Sequence, residues 1–135
     1  MRILAIESSA VTASVAILTD DVLTAEYTVN YKKTHSQTLL PMLDEVAKMI
    51  DLDLNSIDAI AVAAGPGSFT GLRIGSSTAK GMALALKKPI LSIPTLEGLA
   101  YRLTPVTDEL VCPLMDARRN QVYTGIYQNK KEGIE

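Results

Sequence analysis

The sequence is poor in the residue types that most readily declare a chemistry. It has one cysteine, so no internal disulfide can form, and a reducing compartment is the simpler setting. It has one histidine, and a lone imidazole makes no metal site. Tryptophan is absent, phenylalanine occurs once, and aromatics make up only 4% of the residues. No apolar run reaches the roughly 18–20 residues of a membrane span. Met1-Arg2 leads straight into a strand-like segment, not a signal peptide. Charge of one sign is lacking too: 13 basic residues against 15 acidic leave a net charge of −2, with no basic block. A protein holding nucleic acid unaided is expected to show a basic face, so any RNA would be held chiefly by a partner. What is present is 135 residues, 47% of them hydrophobic, enough for one domain or one domain and part of a second. Such a chain buries about two-thirds of its unfolded surface. The expectation is a soluble cytoplasmic α/β protein.

Ile3–Ile6 and Ala13–Leu18 are apolar runs joined by the small, polar Ser8-Ser9-Ala10-Val11-Thr12, which reads as a hairpin. Leu23, Ala25, Tyr27 and Val29 alternate with polar neighbours and predict a third strand, completing an antiparallel meander. The period then changes. Leu39, Leu43, Val46, Ala47 and Ile50 recur at helical spacing from about Ser36, with Pro41 expected near the start, where a missing N–H costs least. Met42 and Met49 lie off that stripe, either filling the core edge or forming a second apolar face for a partner.

Ile57–Ala64 reads as a buried strand, Thr70–Leu86 as a long helix and Pro89–Ile93 as another apolar strand. A short helix runs to about Leu103, with Thr95 as its expected N-cap. Residues 1–104 thus form βββ-α-β-α-β-α, a mixed sheet of a meander plus parallel strands flanked by helices. The stretch from Thr104 to Asp108 is linker-like. Leu110–Met115 and Gln121–Tyr127, joined by Asp116–Asn120, predict a further hairpin. A hairpin alone is barely stable in water, so residues 105–135 read as the opening of an incomplete second domain. Cys112, inside the apolar run, is expected to be a buried thiol.

The segment Gly65-Pro66-Gly67-Ser68-Phe69-Thr70-Gly71, between strand and helix, has the form that brings backbone N–H groups to an anion. It fits neither common phosphate motif. The dinucleotide fingerprint needs a glycine where Thr70 stands, and the Walker A motif needs Gly-Lys-Ser/Thr where the helix begins Gly71-Leu72-Arg73. A nucleophile elbow centred on Ser68 would need glycines at the places of Pro66 and Thr70. A peptidase therefore lacks a visible nucleophile–base pair. Gly71, Gly75 and Ala79 share one face of the helix, continued by Ala83, and each glycine costs about 1 kcal/mol of helix propensity against alanine, Gly81 included. Such a face packs tightly on its own sheet or closely against another chain or a ligand.

AAGPGSFTGLRIG, together with IESS near the N-terminus, HSQTLLPML at the first helix and MDARRNQVY near the end, resembles the TsaB (YeaZ) family. These are bacterial proteins required for the threonylcarbamoyladenosine modification of tRNA. The resemblance covers the chain almost from end to end. It implies an ASKHA (actin-like ATPase) fold of ribonuclease-H-like domains. It also implies a non-catalytic subunit that forms a homodimer and binds and activates TsaD, the threonylcarbamoyl transferase, with TsaE as a further, ATPase partner. The product would be N6-threonylcarbamoyladenosine at position 37 of tRNAs reading ANN codons, the tRNA being met mainly through the complex.

TsaD holds a metal with two histidines four residues apart, and the matching places here are Thr95 and Leu99, which cannot replace imidazole ligands. No cofactor is expected beyond weak nucleotide binding. ASKHA proteins hold phosphates between two hairpins with an acid at each strand end, which the resemblance carries onto Glu7, Ser8 and Ser9 on one side and Asp116 on the other. Gly67 and Ser68 would join them. The association face is assigned to Met42, Met49, Gly71, Arg73, Gly75, Ala79 and Met82. A nucleotide-binding ATPase or kinase domain is the competing expectation.

Overall fold

A computed structural model describes residues 1–31, 35–102, 109–130 and 133–134. Its centre is a five-stranded sheet. Strand β1 (Arg2–Glu7) pairs antiparallel with β2 (Ala13–Thr19), which pairs antiparallel with β3 (Val22–Val29). On the other side of β1, β4 (Ala59–Gly65) and β5 (Ile90–Pro94) add in parallel, giving the order β3-β2-β1-β4-β5. The β2–β3 turn places Asp20 and Asp21 at φ 47° and 65°. Two consecutive left-handed residues match the twist of a tight hairpin, and Asp tolerates that conformation.

Helices α1 (His35–Met49) and α2 (Phe69–Leu86) close one face of the sheet. Alternation in the strands sends Leu4, Ile6, Val15, Ile17, Ile60 and Val62 to that face, where Leu39, Leu43 and Val46 of α1 meet them. Met42 belongs here as well, at 2% exposure, and so cannot belong to an association face. Pro41 is the seventh residue of α1 rather than near its start. It lies on the exposed side, where the carbonyl of Gln37, deprived of its donor, can turn to water. The short α3 (Thr95–Tyr101) follows β5; its N-cap is Pro94, and Thr95 is its first residue, buried with no partner for its hydroxyl among the described residues. Leu103 and the linker-like segment lie outside the described residues.

Beyond them, β6 (Leu110–Val111), β7 (Leu114–Arg118), β8 (Gln121–Thr124), β9 (Tyr127–Lys130) and β10 (Gly133–Ile134) form two small antiparallel sheets. The expected strand Leu110–Met115 is broken at Cys112-Pro113, since proline cannot donate to a ladder. Cys112 is consequently exposed, its Sγ 3.2 Å from the Thr124 hydroxyl, not a buried thiol. The β7–β8 turn is also tighter than expected. β7 continues through Asp116 to Arg118, and only Arg119 and Asn120, at φ 53° and 60°, make the turn.

Candidate functional site

The Gly65–Gly71 segment is built around the connection between β1 and β2. Ser68 caps α2, its Oγ accepting from the Gly71 N–H at 3.2 Å, while its own N–H donates to the Ser9 carbonyl at 2.6 Å. Ser8 is fully buried and donates its hydroxyl to the Gly71 carbonyl at 2.9 Å. A Cβ on Gly67 would stand 2.4 Å from the Ser9 carbonyl oxygen, and one on Gly71 2.1 Å from that of Ser8. On Gly75 it would stand 2.2 Å from the Ser8 hydroxyl. Gly71, Gly75 and Ala79 are all buried against the chain itself. They are thereby removed from the association face, because Gly71 and Gly75 receive the β1–β2 connection and Ala79 belongs to the core.

His35, the first residue of α1, ties into the same place, its Nε2 2.7 Å from the Ala10 carbonyl. Glu7 accepts from the Ser9 N–H at 2.5 Å, folding its carboxylate back on its own connection. Among the described residues no three His, Cys, Asp or Glu gather as metal ligands. No described helix is long and apolar enough to cross a membrane.

Two concave surfaces flank this junction. The larger is a cleft of about 870 Å³ between the N-terminal end of α2 and the β7–β8 hairpin. It brings together Ser9, Gly67, Ser68 and Asp116 from the expected phosphate set, with His35, Tyr31, Tyr123 and Arg118 alongside. Glu7 and Ser8 are not in its wall; Ser8 is committed to Gly71. Asp116 accepts from the Arg118 N–H at 2.7 Å, which fixes the hairpin end facing the cleft. Ser9 is 3% exposed, its backbone N–H donating to Glu7 and its carbonyl accepting from Ser68.

The second surface is a groove of about 420 Å³ between α1 and α2, lined by Ser36, Leu40, Phe69, Arg73, Ile74 and Ser77 among others. Its apolar lips are open: Leu40 is 55% exposed and Phe69 74%. Arg73 lies over the Phe69 ring, 5.3 Å from its centroid, a cation–π contact that holds both side chains at the rim. Of the residues expected on an association face, Arg73 lines this groove and Met49 is exposed, while Met82 is half-buried against the core. Leu40, Phe69 and Leu84, the last 82% exposed, escaped the sequence reading. Their signal was there, since each is apolar but out of phase with the buried stripe of its helix.

A mixed five-stranded sheet opening with a three-stranded meander, and a second hairpin facing its first connection across a cleft, is a ribonuclease-H-like domain of the ASKHA class. Comparison with known proteins narrows this. A family profile described as "TsaD: tRNA N6-adenosine threonylcarbamoyltransferase" matches residues 23–135. The tRNA threonylcarbamoyladenosine biosynthesis protein TsaB of Bacillus subtilis (strain 168) is 42% identical over 135 residues, covering 100% of this chain and 58% of that protein. TsaB of Escherichia coli (strain K12) is 36% identical over 137 residues, covering 99% and 58%. The solved structure of YeaZ from Pseudomonas aeruginosa aligns with a TM-score of 0.88 at 34% identity, covering 99% of this chain and 63% of that one. The chain belongs to the TsaD family and, within it, to the TsaB (YeaZ) branch. It spans 58% of the length of these two curated relatives.

Proposed function

We propose that the chain acts as a TsaB-type subunit in the formation of N6-threonylcarbamoyladenosine at position 37 of tRNAs reading ANN codons. It supplies no catalytic group. It pairs through its α1–α2 face with TsaD, holding that transferase in its active arrangement, and with itself when TsaD is absent. TsaE joins as an ATPase partner, and the tRNA is met mainly through the assembly, in the cytoplasm. The observation that supports this most is the open apolar rim of Leu40, Phe69 and Ile74 around Arg73. A rim of that kind on an otherwise satisfied helix pair is what a partner covers. The hydroxyl and carboxylate of Ser8 and Glu7, by contrast, are engaged in holding the fold. Light-scattering mass, alone and then with TsaD, tests the reading. A dimer that converts to a heterodimer supports it, and a monomer that ignores TsaD overturns it.

A second reading, nucleotide binding, is favoured by one observation. Ser9, Gly67, Ser68 and Asp116 line a single cleft at the positive end of α2. Titration calorimetry with ADP separates the two, since a scaffold needs no nucleotide for its pairing.

A further inference from the structure

His35 is the sole histidine of the chain, and the fold uses only part of its ring. Nε2 lies 2.7 Å from the Ala10 carbonyl, which can only accept, so Nε2 carries a proton whether the ring is neutral or charged. The Cδ2 edge lies against α2, 3.1 Å from where a Cβ on Gly71 would stand. Nδ1 has no partner among the described residues, although His35 is 9% exposed and stands in the cleft wall. The Ser9 hydroxyl is in the same situation: nearly buried, in that wall, and without a partner among the described residues. Neither atom is sealed off as the Thr95 hydroxyl is. Two nearly buried side chains thus keep a polar atom open to one hollow, at the positive end of α2.

We infer that His35 is an anion-binding residue of the cleft, donating from Nε2 to the Ala10 carbonyl and from Nδ1 to a phosphate oxygen of a nucleotide, with one proton taken from solvent as the ligand enters. The inference rests on the nucleotide reading above and adds which side chain meets the phosphate and what charge it then carries. In the neutral ring, Nδ1 sets a lone pair against an oxygen that also only accepts. Protonation makes it a donor and adds charge, and a charge-assisted hydrogen bond is roughly twice as strong as a neutral one. The N–H groups of the first turn of α2 and the Ser9 hydroxyl complete the cradle. Across the cleft stand Asp116, which accepts from the Arg118 N–H, Arg118 itself and the phenols of Tyr31 and Tyr123. Behind it, Glu7 is turned onto the Ser9 N–H, and on α2 Arg73 lies over Phe69. None of these is an imidazole, the side chain whose charge ordinarily changes between about pH 5 and 8. Binding and proton uptake are therefore linked, and binding tightens as the pH falls.

Calorimetric titration of the 135-residue chain with ADP, repeated from about pH 8.5 to about pH 5.5, tests this, with His35→Gln alongside. The glutamine amide can still donate to the Ala10 carbonyl but gains no charge. The wild-type chain is expected to bind ADP about tenfold more tightly at the acid end. The ligand's own phosphate gains a proton on the same descent, which opposes binding, so the sign of the trend separates the two. His35→Gln is expected to lose the gain. With no second histidine present, the NMR resonance of the His35 ring reads the same event in the wild type. At about pH 7 it is expected to move toward its imidazolium position as ADP is added. If His35→Gln leaves the trend unchanged, or the resonance stays in place in saturating ADP, the His35 assignment is overturned and the nucleotide reading stands. If ADP binds at no pH, both are overturned.

Discussion

The side chain of Ser8 occupies the space that a Cβ on Gly75 would need, while its hydroxyl bonds the carbonyl of Gly71 one turn earlier. One buried serine therefore explains two helix glycines. Gly75→Leu is then a poor probe of pairing, because it breaks the monomer first. Gly75→Ala is expected to cost about 1–3 kcal/mol through overpacking, read as a lower urea midpoint with an unchanged slope.

Ser8→Ala separates the bond from the space. The substitution removes the Ser8 hydroxyl from the Gly71 carbonyl, which keeps its place in the helix ladder, a loss of about 0.5–1.5 kcal/mol. Thermal unfolding measures it. Pairing measured well below the unfolding temperature is expected to remain, since Ser8 lies beneath α2 and not on its outer side.

Phe69→Ala probes the rim. The ring is 74% exposed, so the change is expected to fall within about 0.5 kcal/mol in stability. Because it also releases Arg73 from its cation–π contact, pairing is expected to weaken, and more so in combination with Leu40→Ala. A mass measurement over a dilution series reports it.

Lys48 is held above its ordinary value of 10.5 by its hydrogen bond to Asp44, helped by the charge of that carboxylate. A raised folded-state value means that any stabilisation is complete below 10.5 and is lost as pH rises through the folded value. Between pH 6 and 9 the pair is therefore expected to give no slope in stability. In Asp44→Asn, NMR titration is expected to show Lys48 returning toward 10.5.

Much of the sheet was legible because its signals are local. The alternation in β3 and the helical spacing of Leu39, Leu43 and Val46 depend on neighbours a few residues apart. The face of α2 was not legible in the same way. Gly71, Gly75 and Ala79 read equally as a seat for the chain's own backbone or for another protein, and the deciding contact comes from Ser8, 63 residues away from Gly71 in sequence. Met42 was misassigned because a methionine just off the stripe still reaches the core. For Cys112 the signal was adjacent and outweighed: Pro113 ends the strand that the apolar run implied. Within the cleft, Ser9 and Asp116 were placed through family likeness, while Tyr31 lies in none of the four matching stretches and Tyr123, which closes MDARRNQVY, carried no assigned role.

Where α2 meets the β1–β2 connection, glycine backbone touches carbonyl and hydroxyl with no compliant side chain between them. Packed interiors transmit displacement instead of absorbing it. The outer side of α2 bears the groove, and the connection beneath it forms part of the cleft wall. The two hollows are therefore mechanically in series. A displacement of α2 toward the sheet is therefore expected to meet Ser9 with little cushioning, on the wall of the cleft.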